Sequence, residues 1–384
     1  MNIKRLNFYQ LTIPFRVAFK HSSATRNTTE TIWVETEGEN GLTGYGEACP
    51  RSYVTGETLS TAQQYLQTIK DELIREIHSL DDLDQWVLAQ KSMIDNNPAA
   101  WCAVELALLD LLAKTANKTV EAILGLPDIQ GDFRYSAVLG DSEIVTYKAQ
   151  LDKYLTLGFK DFKIKISGDL DNDLKKLSLL QHADENLYQV RLDANNLWQD
   201  PKDVISYIQA LNYPFWAIEE PLTAHDFEGM SQIGEQLGIK IILDESFLKL
   251  DDLVFLENYS SLWIINLRIS KMGGLIRSRN IVDAANKLGI ALISGAQVGE
   301  TSLLTRSALS IAQYIKANLL AQEGAFGTYL LDRDIVSDAL MFGRSGRLNT
   351  DGLGFNKKPG FGLSVKALKG DLLPLWLEPN LYNH

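Results

Sequence analysis

The pattern of hydrophobic and polar residues changes after residue 127. Before that point, apolar and polar residues alternate in segments that predict strands at Ile3–Ile13, Glu30–Thr36 and Gly41–Glu47. Two later segments, Ser60–Ile77 and Ala99–Lys114, have the helical spacing of apolar residues. A sheet followed by helices predicts an α+β domain.

From Tyr135 onwards, short apolar runs alternate with longer amphipathic segments. The predicted strands are Tyr135–Leu139, Phe162–Ile166, Gln189–Leu192, Ala217–Glu219, Ile241–Asp244, Trp263–Leu267 and Ile290–Ser294. The predicted helices are Asp171–Ala183, Pro201–Leu211, Phe227–Leu237 and Gly274–Leu288. Nearly continuous apolar strands are typical of parallel sheets covered on both faces. The order predicts an α/β barrel. The alternative, an open doubly wound sheet, would carry a Gly-rich phosphate-binding turn after its first strand, which Val138–Asp141 does not supply.

The same patterns divide the chain into three segments. Residues 1–127 form the predicted α+β domain, and residues 128–350 form the predicted barrel. Residues 351–384 are rich in Gly and Pro at their start, and we expect them to return to the first domain.

Three acidic residues end successive apolar runs at nearly even spacing. Asp193, Glu219 and Asp244 are 26 and 25 residues apart. One strand, one helix and two loops take about that many residues in an eight-fold barrel of ~250 residues. The three carboxylates are therefore expected on one rim, where they would repel one another unless a cation lay between them. Oxygen ligands favour Mg²⁺, with Mn²⁺ as the alternative.

Three lysines accompany these carboxylates. Lys163 and Lys165 alternate along the second predicted barrel strand, so both are expected to point inward. Lys271 follows the sixth strand, and Lys165 and Lys271 would face each other across the barrel mouth. The alternative is that all three are ordinary surface lysines. A cation and a lysine base could together remove the weakly acidic proton next to a substrate carboxylate.

Further polar residues surround the same strand ends. Asn195 lies two residues after Asp193 and could orient a ligand or a water. Glu220 and Glu245 directly follow two of the candidate metal ligands and could form hydrogen bonds that orient lysines or waters of the site. The alternative for both is a solvated loop carboxylate.

Composition excludes several other classes of protein. The net charge of −12 and the pI of about 5.0 argue against a nucleic-acid-binding surface. No uncharged apolar run approaches the ~20 residues that span a bilayer, and the N-terminus does not have the pattern of a signal peptide. The sequence contains two cysteines, Cys49 and Cys102, so we expect a cytoplasmic protein without disulfides.

Five short motifs now stand in order along the chain: KIK at 163–165, LDAN at 192–195, EEP at 219–221, DES at 244–246 and KMGG at 271–274. In this order the chain resembles the enolase superfamily, in its mandelate racemase/muconate lactonizing enzyme family. None of the five histidines follows the seventh strand, which indicates the muconate lactonizing enzyme subgroup, with dipeptide epimerases and cycloisomerases as its nearest types.

The resemblance implies an α+β capping domain over a modified (β/α)7β barrel, which resembles a TIM barrel. It implies Mg²⁺ held by Asp193, Glu219 and Asp244, with Lys165 and Lys271 as the acid/base pair. It also implies that Lys163 neutralises charge beside the substrate carboxylate and that the protein forms homo-oligomers. The expected partner is a small-molecule carboxylate, and neither nucleic acid nor membrane.

The resemblance also indicates where substrate is chosen. The capping loops would be Phe19–Thr28 and Pro50–Thr58, of which the letters SYVTGET resemble dipeptide epimerases. Candidate substrate contacts are Thr55, Glu300, Thr301 and Glu323. Dipeptide epimerases usually carry Asp-x-Asp after strand eight, where this chain has Gly324 and Phe326. The FG of Phe326-Gly327 is more similar to muconate cycloisomerases.

Four functions remain open on the sequence. The first is racemisation or epimerisation of an N-acyl amino acid or a dipeptide. The second is cycloisomerisation of a muconate-type diacid, and the third is dehydration to an aromatic succinylbenzoate. The last is a metal-binding barrel scaffold without activity, which three intact lysines argue against.

Overall fold

The computed structural model describes residues 1–21, 24–181, 188–366 and 370–375. The N-terminal part contains strands β1 (Ile3–Leu11), β2 (Pro14–His21), β3 (Ala24–Thr28), β4 (Thr31–Gly38) and β5 (Thr43–Ala48). Its helices are α1 (Leu59–Glu76), α2 (Leu80–Ala89), α3 (Lys91–Asn96), α4 (Pro98–Thr115) and α5 (Val120–Leu124). The predicted α+β domain is confirmed; the hairpin of β2 and β3 and the short helices α2 and α3 were not predicted.

Helix α4 is the centre of this domain. It begins at Pro98, whose missing N–H costs nothing in the first turn, and it is buried along nearly its whole length. Two glycines of β5 let the helix lie directly on the sheet. A Cβ atom at Gly46 would lie 1.8 Å from the carbonyl oxygen of Ala103, and one at Gly44 would lie 2.1 Å from that of Ala107.

The second part is the barrel. Two short strands before it and after it, β6 (Asp132–Arg134) and β15 (Arg347–Asn349), pair with each other. The barrel strands are β7 (Ala137–Leu139), β8 (Asp161–Lys165), β9 (Gln189–Asp193), β10 (Ala217–Glu219), β11 (Lys240–Leu243), β12 (Trp263–Leu267), β13 (Ala291–Ser294) and β14 (Leu319–Gln322). The helices are α6 (Ile144–Leu157), α7 (Leu170–Gln181), α8 (Pro201–Leu211), α9 (Phe227–Leu237), α10 (Ile269–Met272), α11 (Leu275–Leu288) and α12 (Ser302–Ile315).

The eight barrel strands lie in sequence order, and every neighbouring pair is parallel. Ser136 N, just before the first strand, donates a hydrogen bond to Gln322 O at the end of the last, at 2.7 Å. A 3-10 helix, Leu250–Tyr259, replaces the α-helix between the fifth and sixth strands. The predicted (β/α)7β architecture is confirmed.

The eighth strand, β14, was not among the predicted strands. Its sequence, LLAQ, contains no β-branched residue and its first two residues are partly exposed, so it lacks the features that identify a buried strand. The first barrel strand starts at Ala137 rather than at Tyr135, because Tyr135 N is bonded to Gly346 O outside the barrel.

A small apolar cluster fills the inside of the barrel. It is formed by Ala217, Ile242, Ile264, Ile293 and Ala321. These side chains exclude water from the barrel centre and form an apolar layer beneath the polar side chains at the strand ends.

A short strand after the barrel returns to the first domain. Strand β16 (Leu372–Pro374) pairs antiparallel with β1 and completes a sheet of order β16-β1-β4-β5. The domain boundaries at 127 and 350 stay predictions. No helix among the described residues is long and apolar enough to cross a bilayer.

Candidate active site at the carboxyl ends of the barrel strands

Three of the predicted site residues lie side by side on adjacent strands. Lys165 pairs with Asp193 in the register of β8 and β9, and Asp193 pairs with Glu219 in the register of β9 and β10. Asp244 directly follows β11, the next strand. Parallel strands end at one edge of the sheet, so these side chains share one rim of the barrel.

Lys163 bridges the carboxylates of this rim. Its Nζ lies 3.1 Å from Asp193 Oδ2 and 2.7 Å from Glu219 Oε2. Burial disfavours the charged ammonium, but the charges of Asp193 and Glu219 outweigh burial and raise the pKa of Lys163. Burial would raise the pKa of Asp193, but Lys163 and Lys165 lower it below its usual range. These contacts favour the charged form of Lys163 within the rim.

Lys165 lies closer to solvent than Lys163. Its side chain is 13% exposed, compared with 3% for Lys163. Its Nζ donates a 2.6 Å hydrogen bond to Asn195 Oδ1 and lies 3.5 Å from Asp193 Oδ2. Asn195, predicted to orient a ligand or a water, therefore holds the lysine, and its own N–H donates to Asp193 at 3.2 Å.

Lys271 is held on Asp244. It lies in the short helix α10, and its Nζ donates to Asp244 O at 2.7 Å and to Asp244 Oδ1 at 2.9 Å. The Lys271 side chain is completely buried. Its predicted role in proton transfer stays a prediction, because both of these contacts are to the protein itself.

Arg268 is a site residue that the sequence analysis missed. It directly follows β12, and its Nη2 donates to Asp244 Oδ2 and lies 3.8 Å from Glu219 Oε1. Its Nη1 donates to Gln297 Oε1 at 3.0 Å. Burial raises the pKa of Asp244, but Arg268 and Lys271 bring it below its usual value. The available signal was position: Arg268 follows the sixth strand as Asp244 follows the fifth.

Glu220 organises the loops behind the rim. Its Oε1 accepts hydrogen bonds from Asp244 N at 2.6 Å and Ser246 N at 2.7 Å, and its Oε2 accepts from Ser246 Oγ at 2.7 Å. It is completely buried, so the alternative of a solvated loop carboxylate is wrong for Glu220. Burial raises the pKa of Glu220 to about 7 and, together with the charges of Asp244 and Glu220, raises that of Glu245.

Glu323 follows the eighth strand and is already paired. Arg191 Nη2 donates to Glu323 Oε1 at 2.8 Å, and Lys163 Nζ lies 3.3 Å from the same oxygen. Burial raises the pKa of Glu323, but Lys163 and Arg191 outweigh burial and lower it. Arg191, two residues before Asp193 on the same face of β9, was also missed by the sequence analysis.

The other predicted substrate contacts are engaged within the protein. Thr55 Oγ1 donates to Glu57 Oε2 at 2.8 Å. Glu300 Oε1 accepts from Gln297 N at 2.6 Å. Thr301 caps helix α12 and donates from both N and Oγ1 to Glu47. Substrate binding by these residues stays a prediction, as it does for the capping loop Phe19–Thr28, where side chains 17–25 lie outside the described residues.

The rim has the donor chemistry of a site for a divalent cation. Asp193, Glu219 and Asp244 offer only carboxylate oxygens, the ligands that Mg²⁺ prefers. The buried Oε2 atoms of Glu219 and Glu245 accept no hydrogen bond from the residues that the structure describes, although Glu219 Oε2 is within ion-pair distance of Lys163. Within the described residues, no group of three or more His, Cys, Asp or Glu side chains is arranged as a metal site, because cationic side chains pair with these carboxylates.

Models of two protein families match the two parts of the chain. The model of the mandelate racemase/muconate lactonizing enzyme N-terminal domain matches residues 7–125. The enolase C-terminal domain-like model matches residues 146–369, more than half of the chain. The chain belongs to the mandelate racemase/muconate lactonizing enzyme family of the enolase superfamily. The resemblance inferred from the five motifs is confirmed.

Characterised relatives in this family are epimerases and racemases. The hydrophobic dipeptide epimerase of Enterococcus faecalis is 27% identical over 321 residues, 81% of this chain and 87% of the relative. The N-succinyl-L-Arg/Lys racemase of Bacillus cereus is 22% identical over 95% of this chain and 96% of the relative.

Solved structures of family members have the same fold. The dipeptide epimerase of Enterococcus faecalis, in complex with Mg and the dipeptide L-Leu-L-Tyr, has a TM-score of 0.81 at 24% identity. That comparison covers 95% of this chain and all of the other. At this level of identity the likeness concerns the fold.

Proposed function

We propose that this protein is an isomerase that removes a proton next to a substrate carboxylate, with Mg²⁺ as its cofactor, and thereby racemises or epimerises an N-acyl amino acid or a dipeptide. The observation that carries the proposal is the register of Lys165, Asp193 and Glu219 on the adjacent strands β8, β9 and β10, with Asp244 directly after β11. It sets an amine beside three carboxylates at one rim. The activities of the relatives support the same reaction class.

Lys165 is the proposed base. Its side chain is the more exposed of the two lysines on β8, and Asn195 fixes the position of its Nζ. A base must lie within hydrogen-bonding reach of the proton it removes. Lys165 meets this condition because Asn195 holds its Nζ while part of its side chain stays exposed to a substrate. The proton leaves the α-carbon for Nζ, and the electron pair moves into the carboxylate.

Asp193, Glu219 and Asp244 are the residues that would hold Mg²⁺, with Mn²⁺ as an alternative. The cation, when bound, would stabilise the negative charge that develops on the substrate carboxylate. Lys163 adds a fixed positive charge at the same place, because its Nζ lies within 3.1 Å of both Asp193 and Glu219.

The surroundings of Glu323 favour a substrate with a blocked amino group. A free α-ammonium needs a carboxylate that is not already neutralised, and Glu323 at the end of strand eight is paired with Lys163 and Arg191. An N-acyl group replaces the ammonium with a neutral amide and needs no such partner. We therefore propose N-acyl amino acids ahead of dipeptides with a free amine.

Self-association and location belong to the same proposal. Oligomers are common among soluble enzymes, and we propose that this protein forms a homo-oligomer in the cytoplasm. Cys49 and Cys102, both buried and free, are consistent with a reducing compartment.

Solvent isotope exchange tests the proposed function. N-succinyl amino acids and dipeptides are incubated with the protein and Mg²⁺ in D₂O, and loss of the α-proton signal is followed by NMR. We expect exchange with N-succinyl substrates, loss of exchange after EDTA, and recovery when Mg²⁺ is restored. Exchange that continues at full rate in EDTA, or that is absent from every carboxylate, would refute the proposal.

Muconate-type cycloisomerisation, and with it succinylbenzoate synthesis, is the second candidate. One observation favours it: Lys165 is partly exposed, whereas Lys271 is fully buried and bonded to Asp244. These reactions need one proton transfer to or from the substrate rather than one on each face. Conversion of cis,cis-muconate, measured by its ultraviolet absorbance, tests this candidate.

A further inference from the structure

The two sides of the proposed site carry different kinds of cation. On the β8 side, Lys165 has an amine that can lose and regain a proton. On the β12 side, Arg268 directly follows the strand and directs Nη2 onto Asp244 and towards Glu219. A guanidinium keeps its proton throughout the pH range of proteins, so Arg268 supplies charge without supplying a base.

Lys271 lies in the short helix that follows β12, and its amine is fixed. Its Nζ has two hydrogen bonds to Asp244 and no exposed surface, whereas Arg268 is 11% exposed. To reach a substrate, Lys271 would have to break both bonds. Its contacts instead hold Asp244 in place, which makes it a positioning residue.

Arg268 and its neighbour Gln297 also have unused hydrogen-bonding capacity. Among the described residues, Arg268 Nε and Gln297 Nε2 are buried donors without a protein acceptor. Both belong to one connected pair, because Arg268 Nη1 donates to Gln297 Oε1 at 3.0 Å. Buried donors of this kind are rare in folded proteins, and ligand oxygens are one way to satisfy them.

We propose that proton exchange is fast only on the substrate face turned towards Lys165, and that the opposite face is closed by the permanent charge of Arg268. The inference rests on the proposed function and deepens it. Removal and return of the α-proton by Lys165 restores the starting isomer. Inversion requires a proton on the other face, which water must supply in place of a side-chain amine.

Exchange of the α-proton with retention of configuration should therefore be faster than inversion. A positioned acid or base contributes about 10²–10⁴-fold to a proton transfer, so we expect a ratio of about 10² or more between the two rates. Only one isomer of a pair should show this excess. The other isomer should lose its α-proton only as fast as it inverts.

The experiment measures both rates for both isomers. The probes are N-succinyl-L-lysine with its D-isomer and L-Leu-L-Tyr with L-Leu-D-Tyr, each incubated with the protein and Mg²⁺ in D₂O. NMR gives the loss of the α-proton, and chromatography on a chiral column gives inversion. A ratio of about 10² or more for one isomer supports the inference, and a ratio near one for both isomers overturns it.

Two variants sharpen the result. Arg268→Lys introduces an amine on the closed side, and we expect the exchange-to-inversion ratio to fall at least tenfold, while Arg333→Lys on the surface leaves it unchanged. Lys271→Met should slow exchange and inversion together, since it acts through Asp244. Loss of inversion with full exchange in Lys271→Met would identify Lys271 as the second acid and overturn the inference.

The failure of the inference differs from that of the proposed function. Equal exchange and inversion would leave the proposed function intact and refute only the closed face. No exchange from any probe by protein that binds Mg²⁺ in calorimetry would refute the proposed function, and the inference with it. If Arg268→Lys does not fold, as judged by circular dichroism, the inference is tested by the ratio of exchange to inversion in the wild type and by the rates of Lys271→Met.

Discussion

Two buried clusters of charged residues in this protein differ in how many of their polar atoms have a hydrogen-bond partner. At the interface between the capping domain and the barrel, Glu121 accepts hydrogen bonds from Arg306 Nη1 at 2.8 Å and Nη2 at 2.9 Å, and Ser310 Oγ also donates to it. Arg306 Nε donates to Phe361 O at 2.9 Å. One carboxylate faces one guanidinium, and both are completely buried.

The cluster at the barrel mouth is arranged differently. Lys163 and Arg268 each contact more than one carboxylate, and among the described residues the buried Oε2 atom of Glu245 has no hydrogen-bond donor. Arg268 Nε and Gln297 Nε2 also have no acceptor within the described part of the chain. A structural ion pair is stable when each group is matched, whereas a cluster with unmatched groups retains capacity for a ligand. The comparison distinguishes the part that holds the domains together from the part proposed to do chemistry.

The largest effect is expected from Lys165→Ala at the mouth. Removal of the proposed base should reduce α-proton exchange by about 10³-fold, within the ~10²–10⁴ that positioned bases contribute. The melting temperature should stay near that of the wild type, because the lysine is partly exposed and bonded only through its tip. NMR exchange and calorimetric melting measure the two properties; wild-type exchange in this variant would remove Lys165 as the base.

Arg306→Met should have the opposite profile, with a large loss of stability. It leaves the Glu121 carboxylate buried without a partner, and breaking a buried pair in this way costs about 3–5 kcal/mol. Urea denaturation measures the free energy of unfolding. The matched control is the double variant Glu121→Leu with Arg306→Met, which should recover most of the loss, since no buried charge remains. A double variant as unstable as the single one would contradict the account.

Glu47 extends the comparison, because it lies at the same domain interface as Glu121 but, among the described residues, is bonded to Thr301 rather than paired with an arginine. Burial raises its pKa to about 8, and the hydrogen bonds from Thr301 only partly oppose that shift. The carboxyl of Glu47 therefore stays protonated in the folded state up to about pH 8, whereas in the unfolded chain it loses its proton at about pH 4.3. The contribution of Glu47 to the free energy of unfolding falls as the pH rises between these two values, by up to about 1.4 kcal/mol per pH unit. Glu47→Gln should lack that part of the pH dependence in urea denaturation; identical pH profiles would contradict the raised pKa.

Arg268→Gln should produce the smallest effect, on metal affinity. The guanidinium contacts Asp244 and lies 3.8 Å from Glu219, so removing its charge reduces repulsion towards a divalent cation. We expect Mg²⁺ to bind about tenfold more tightly, a change of ~1.4 kcal/mol, by isothermal titration calorimetry. Arg333→Gln, which removes an exposed arginine paired with Asp371, is the control. Weaker Mg²⁺ binding in Arg268→Gln would show that the arginine organises the ligands instead.

Much of this arrangement was predictable from the sequence. The spacing of Asp193, Glu219 and Asp244 follows the length of a barrel repeat, and strand alternation places Lys163 and Lys165 on one face. Long amphipathic helices such as Pro201–Leu211 and Phe227–Leu237 have the bounds that were predicted. These features depend on local periodicity, which one sequence carries.

The contacts between residues far apart in the chain were not predictable in the same way. The pairing of Arg191 with Glu323, of Arg268 with Asp244, and of Glu47 with Thr301 joins residues far apart in the chain. No local pattern indicates which cation pairs with which carboxylate, because the choice depends on side-chain reach after the strands close. The sequence analysis therefore located the rim but not the arginine on its far side.

The most direct test of the central claim is the position of a divalent cation relative to Lys165. Crystals grown with Mn²⁺, and measured at a wavelength where manganese scatters anomalously, show where the ion binds. The account predicts a peak bonded to oxygens of Asp193, Glu219 and Asp244, on the side of the rim that Lys165 faces. A peak elsewhere, or none at these carboxylates in crystals soaked to saturation, would contradict it.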